Sequence, residues 1–192
     1  MSISKFDLVT PTNVAATVAA FFNGAIDLDP ASSEAANNIV QAERYFTPDN
    51  DGLRQSWKAK TLYLYPPRGS LLTQEHELYK LLFEKQTKFR KSAQRIWLET
   101  AINKYRKGEY EEAIVFLTSS EVALIVTQKL GIDLPMCVMN ARPKLILDNA
   151  QLQPLKSVRS YGFLFYIPAS QNMEKRIMAF QEQFSDLGRV YI

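Results

Sequence analysis

Short apolar runs rich in branched and aromatic residues alternate along this chain with segments of helical period. That alternation constrains the fold more than any other feature. GAIDLD (24–29), TLYLY (61–65), AIVFL (113–117), MCVMN (136–140) and RVYI (189–192) read as strands. RPKLILD (142–148) and YGFLFYIP (161–168) add two more. Between them, NVAATVAAFF (13–22), ASSEAANNIVQAERYF (31–46), EVALIVTQKL (121–130) and NMEKRIMAFQEQFSDLG (172–188) read as helices, the third closed by Gly131. Strands alternating with helices of this length predict an α/β domain with a mostly parallel sheet, because parallel neighbours need crossover helices. The last two strands, separated by a helix, read as the end of a doubly wound sheet.

The 192 residues, 46% of them hydrophobic, suit one domain spanning 1–192. No apolar run approaches the roughly 18 residues of a spanning helix, and the N-terminus lacks a signal-peptide pattern, so no membrane association and a cytoplasmic address are expected. One cysteine, Cys137, and one histidine, His76, give little support to disulfides, cysteine-rich zinc sites or a Cys-His pair, and no metal is expected. Cys137 reads as a core residue and His76 as an exposed one. There is no G-x-G-x-x-G, P-loop or G-x-S-x-G pattern.

The net charge of +3 is unevenly spread. From Lys80 to Lys107, nine Lys and Arg face only Glu84 and Glu99, so this stretch carries +7 and the remainder −4. Residues 70–110 read as a basic helical insertion of two helices meeting near Lys91 or Ser92. Its Lys88, Arg90, Lys91 and Arg95 are candidate contacts to DNA phosphates. A solvated helix face is the plainer alternative. Phe83, Phe89, Trp97 and Tyr105 recur at helical spacing, which favours a buried face over base stacking.

In an open α/β sheet, ligands bind beyond the carboxyl ends of strands, and two strand ends carry chemistry here. Asp27 and Asp29 end the GAIDLDP run. A carboxylate there can accept from a ribose hydroxyl or balance a cation; equally, Asp29 can cap a helix starting at Pro30. Thr10 reads as an N-cap with Pro11 in the first helical position. The second end is Tyr65-Pro66-Pro67-Arg68, where two prolines fix two φ angles and make a stiff turn.

The order of these pieces resembles the DNA adenine-N6 methyltransferases of phages and prophages, the Dam-like family. The pieces are Thr10-Pro11, IDLDPASS (26–33), RYFTPDNDGLRQSW (44–57), a strand ending in Pro-Pro, VFLTSS (115–120) and NARPKLIL (140–147). The likeness spans most of the chain and is weakest over 70–110. It implies a Rossmann-like fold binding S-adenosylmethionine near Thr10, Pro11, Asp27, Asp29 and Pro30, and DNA as partner. It also implies catalysis at the 65–68 loop.

That family's loop reads Asn or Asp, Pro, Pro, aromatic, whereas this chain has Tyr65, Pro66, Pro67 and Arg68. The exocyclic amine of adenine is a poor nucleophile; an Asn or Asp oxygen and the first proline's carbonyl accept its hydrogens, and the aromatic stacks on the extruded base. Losing one such acceptor costs on the order of 100 to 1,000-fold in rate. Arg68 is suited to stack through its guanidinium plane or to hold a phosphate. Two expectations follow: an adenine methyltransferase, or a methyltransferase-fold module without catalysis that binds DNA, the cofactor or a protein partner.

Overall fold

The computed structural model describes residues 8–71, 91–131, 133–147 and 160–192. In chain order the elements are β1 (Leu8–Val9), α1 (Thr12–Phe21), β2 (Leu28–Asp29), α2 (Glu34–Val40), β3 (Arg44–Tyr45), β4 (Ala59–Leu64), β5 (Ser70–Leu71) and β6 (Lys91–Ser92). These continue with α3 (Ala93–Arg106), β7 (Tyr110–Leu117), α4 (Ser120–Leu130), β8 (Met136–Met139), β9 (Ile146–Leu147), β10 (Phe163–Ile167), α5 (Met173–Phe184) and β11 (Gly188–Tyr191). Two short 3₁₀ turns, Pro48–Asn50 and Gly52–Arg54, precede β4.

The α/β expectation holds, with a seven-stranded sheet in the order β11-β8-β10-β7-β4-β2-β3. The sheet is mixed, which corrects the expectation of a mostly parallel one. β3, β2, β4 and β7 pair in parallel. β10 runs against both β7 and β8, and β11 runs against β8. An apolar run covered on both faces reads the same in either direction, so the residue pattern carried no sign of the reversal.

Each central strand sends alternate side chains into two cores. Leu62 and Leu64 of β4, with Val115 and Leu117 of β7, pack under α3 and α4; Tyr63 and Tyr65, with Ile114 and Phe116, pack under α1 and α5. In α1, Val14, Ala15, Val18 and Phe21 are buried, a helical stripe. In α3, Ile96, Trp97, Ala101 and Ile102 are buried in the first core. The described part of the basic stretch thus packs its apolar face into the first core.

Three local readings are corrected. Thr10 does not cap α1, which starts at Thr12 after Pro11; its hydroxyl instead meets the Tyr63 hydroxyl at 2.7 Å. Asp29 does not cap α2, because Ser33 does so through a 3.0 Å bond from the Ala36 N–H. The helix read over 31–46 is shorter: Gln41 turns left-handed at φ 57° and Arg44–Tyr45 joins the sheet. Among the described residues, no helix is long and apolar enough to cross a membrane.

Candidate functional site

The strand order turns at β2. From β2 the chain passes through α2 to β3 on one side, and β4 on the other side leads away to β7. Such a reversal leaves a crevice beyond the strand ends that crossover segments do not fill. A cleft of about 440 Å³ lies there, within the usual range for small-molecule sites. Its lining includes Asp29 at the end of β2 with Pro30 after it, and Tyr65 and Pro67 after β4. Thr10 reaches it from β1, a strand held by antiparallel pairing with β9.

Asp29 is 2% exposed. Its Oδ1 accepts the Ala31 N–H at 3.1 Å. Burial raises its pKa to about 7, opposed by that N–H and by the Ser32 hydroxyl. Among the described residues lining the cleft there is no Lys or Arg; Asp51 also lines it, but its carboxylate is paired with Arg54 at 3.1 Å, which leaves Asp29 to set the charge preference. The site therefore favours a ligand with a cationic group and apolar surface over a phosphorylated one.

One wall comes from the DGLRQSW run. Asp51 takes φ 49°, and Gly52 sits so close to Pro30 that a Cβ there would lie 1.9 Å from the Pro30 carbonyl oxygen. Trp57 fixes this turn by donating its indole N–H to the Gly52 carbonyl at 2.8 Å. Its ring stacks on Trp97 with centroids 5.9 Å apart, and Trp97 lines the cleft. Lys104 lies over the Trp57 ring and pairs with Glu109, which accepts the Trp57 backbone N–H at 2.8 Å. The Gly and Trp of that run thus shape the pocket wall.

Tyr65 is 7% exposed and packs on Phe116, centroids 5.0 Å apart. Burial pushes its pKa upward; Arg68 and Thr118 lie near enough to its hydroxyl to oppose this. The hydroxyl completes no hydrogen bond of normal geometry. Arg68 does not line the cleft. It lines a second, more polar cavity of about 540 Å³ on the far side of the Pro-Pro turn, with Thr118 and Ser119. Pro66 is buried and lines neither cavity.

The structure thus gathers Thr10, Asp29, Pro30, Tyr65 and Pro67 around one cleft. Pro11 is buried at the start of α1. Asp27 is used elsewhere, its Oδ2 accepting the backbone N–H groups of Lys60 at 2.7 Å and Thr61 at 3.2 Å. Arg95 pairs with Glu99 at 2.7 Å within α3. Lys88, Arg90 and His76 lie outside the described residues, and of Lys91 only the backbone is described. Phe46 and Gly52 line the cleft without having been singled out as site residues, and Trp97, read as part of a buried face, is buried as expected and also lines the cleft. The spacing of Gly52 and Trp57 was the available signal for the wall, but Trp97, forty residues later, had none. Cys137 is buried and its thiol is pushed up to about 11 by burial. No family model, no curated protein and no solved structure matches the chain.

Proposed function

We propose that this is a DNA adenine-N6 methyltransferase-like protein of Rossmann-like fold that binds S-adenosylmethionine in the cleft beyond β2 and β4. The observation that carries the reading is Asp29, a buried carboxyl at the point where the strand order reverses, in a cleft lined by no described cation. The donor set fits the cofactor: it bears a sulfonium and an ammonium group but no phosphate, so a carboxylate suits it and a basic loop is unnecessary. When bound, it supplies an electrophilic methyl group. Asp29 would accept from a hydroxyl or balance positive charge, and Trp97 and Phe46 would cover the flat part of the ligand. Pro67 and Tyr65 would border the side from which an acceptor approaches.

Tyr65 favours a second reading, a methyltransferase-like module that binds without transferring methyl groups. A flexible, exposed carbonyl acceptor is absent at this position, and in its place a ring is wedged against Phe116. Its hydroxyl reaches toward Thr118 and Arg68. Calorimetric titration with S-adenosylmethionine, on the wild type and on Asp29→Asn, tests the shared part. Saturable micromolar binding that the substitution weakens at least tenfold supports it, and no heat at millimolar ligand rejects it. Labelled-methyl transfer to adenine-containing DNA then separates the two: incorporation that Asp29→Asn lowers identifies the enzyme, and none identifies the module.

A further inference from the structure

The second cavity differs from the cleft in carrying an arginine and proportionally more hydroxyls. Its lining is dominated by hydroxyls, from Ser92, Thr118, Ser119, Ser120 and Ser160, and contains the guanidinium of Arg68. Arg68 has five N–H donors. Among the described residues it makes one side-chain hydrogen bond, to Ser160 Oγ at 3.3 Å, and no ion pair within salt-bridge distance. Beside it and Thr118 lies the Tyr65 hydroxyl, 93% of that residue buried and its oxygen without a hydrogen-bond partner. The amino end of α4, an eleven-residue helix, opens into the same cavity. Ser119 Oγ accepts the Val122 N–H at 3.3 Å, and the helix's earlier N–H groups have no intrahelical acceptor.

We infer that this cavity is a binding site for a phosphate group, gripped by Arg68, the hydroxyls of Ser119 and Ser120 and the amino end of α4, and presented by a nucleic-acid strand. Three kinds of donor converge there: a planar fork that matches phosphate oxygens, the hydroxyl protons of Ser120 and of Ser119, whose Oγ is held in place as the helix cap, and helix N–H groups carrying a partial positive charge. Gln94 does not compete for the ligand, because it is held by two bonds to Thr118, Nε2 to Oγ1 at 2.9 Å and the Thr118 N–H to Oε1 at 3.1 Å. Those two bonds hold Thr118, which also lines the cavity, in place. Glu121 is the one opposing charge in the lining; it is exposed in the first turn of α4. The choice of a nucleic acid over a free phosphate rests on the function proposed above; the phosphate chemistry does not. At this position, then, Arg68 would hold a backbone group rather than stack on a base.

The test has two arms. Amide NMR spectra are followed while inorganic phosphate is added at low ionic strength, and binding of a short single-stranded oligonucleotide is read by fluorescence anisotropy across a salt series. Arg68→Ala, Arg68→Phe and Glu121→Gln are compared with the wild type, after thermal melts have established that each is folded. The expected result is saturable movement of the Ser119 to Glu121 amides that Arg68→Ala abolishes and Glu121→Gln strengthens. In the second arm, Arg68→Ala weakens the oligonucleotide on the order of tenfold and lowers the salt slope by about one. Phosphate shifts lost in Arg68→Ala with oligonucleotide binding unaffected would keep the phosphate site and reject a nucleic acid as its source. Amides indifferent to phosphate, or Arg68→Phe binding the oligonucleotide as well as wild type with an unchanged slope, would overturn the inference. In either of those cases, cofactor binding in the cleft would stand or fall on its own titration.

Discussion

The carboxylate of Asp27 accepts the backbone N–H of Lys60 at 2.7 Å, tying the segment before β2 to the start of β4. Two residues later, Asp29 ends β2. Two acids in one short run thus have different surroundings: Asp27 registers two strands, and Asp29 lines the cleft. Thr61 strengthens the registration by donating its hydroxyl to the Ala25 carbonyl at 2.8 Å.

Asp27→Ala is therefore expected to lower unfolding free energy by about 1–3 kcal/mol, the usual range for hydrogen bonds to a charged acceptor or amides left unpaired. Chemical denaturation measures this. Ligand affinity in the cleft, read on the folded fraction, should change less than twofold. A large loss of affinity without loss of stability would assign Asp27 to the ligand instead.

The Asp29 carboxyl gives a pH signature. Its folded pKa of about 7 lies above the ordinary value of 3.8, so between those limits the folded chain holds a proton that the unfolded chain has released. Stability from this group is full below pH 4, falls as pH rises through the window, and is lost above about pH 7. Asp29→Asn should flatten that part of the stability profile in denaturation curves from pH 4 to 8. A cationic ligand prefers the carboxylate, so its binding near pH 7 should release a proton, measured as a dependence of calorimetric heat on the buffer's ionisation enthalpy.

Gly52→Ala tests the cleft wall. The added methyl would meet the Pro30 carbonyl oxygen at 1.9 Å and the Trp97 ring at 3.1 Å, and the first of these is backbone that cannot rotate aside. The expected cost is about 1–3 kcal/mol in stability, as for overpacking elsewhere. Trp fluorescence should shift too, because the Trp57 indole is bonded to the Gly52 carbonyl and stacked on Trp97. A melt and an emission spectrum identical to wild type would contradict the packing described.

Glu112 links the sheet to α5. Its carboxylate receives Arg176 through Nε and Nη2, both at 3.0 Å, and the Tyr166 hydroxyl at 2.6 Å. The guanidinium also lies over the Phe21 ring, 4.1 Å from its centroid. Glu112→Ala leaves a half-buried arginine and a tyrosine hydroxyl without their acceptor, and a loss of about 2–3 kcal/mol is expected in denaturant titration. Replacing Arg176 as well should recover part of that loss, a coupling that a double-mutant cycle reads directly.

How much of this was legible in the sequence differs from element to element. Periodicity and turn residues were enough for α1, α4 and α5, because an apolar stripe at helical spacing and a closing Gly131 are local properties. The ends of β2 and β4 were legible for the same reason: Asp29-Pro30 and Pro66-Pro67 stop a strand through their own covalent geometry. The aromatic-rich run FLFYI of β10 and the apolar end AIVFL of β7 carry no sign of strand direction, yet the two pair antiparallel. Direction belongs to the pairing of strands distant in sequence, and both faces of each are covered, so neither burial nor alternation records it.

The chain by itself determined that strands alternate with helices, and which residues stand at the strand ends. Only the tertiary structure decided that Thr10, Asp29 and Tyr65 share one cleft, that Trp97 of α3 closes its wall, and that Arg68 faces a different cavity from its neighbour Pro67. The physical reason is range. Turn and strand-end chemistry acts over a few residues, whereas a site is made where strand order reverses, and that order is set by packing between segments tens of residues apart.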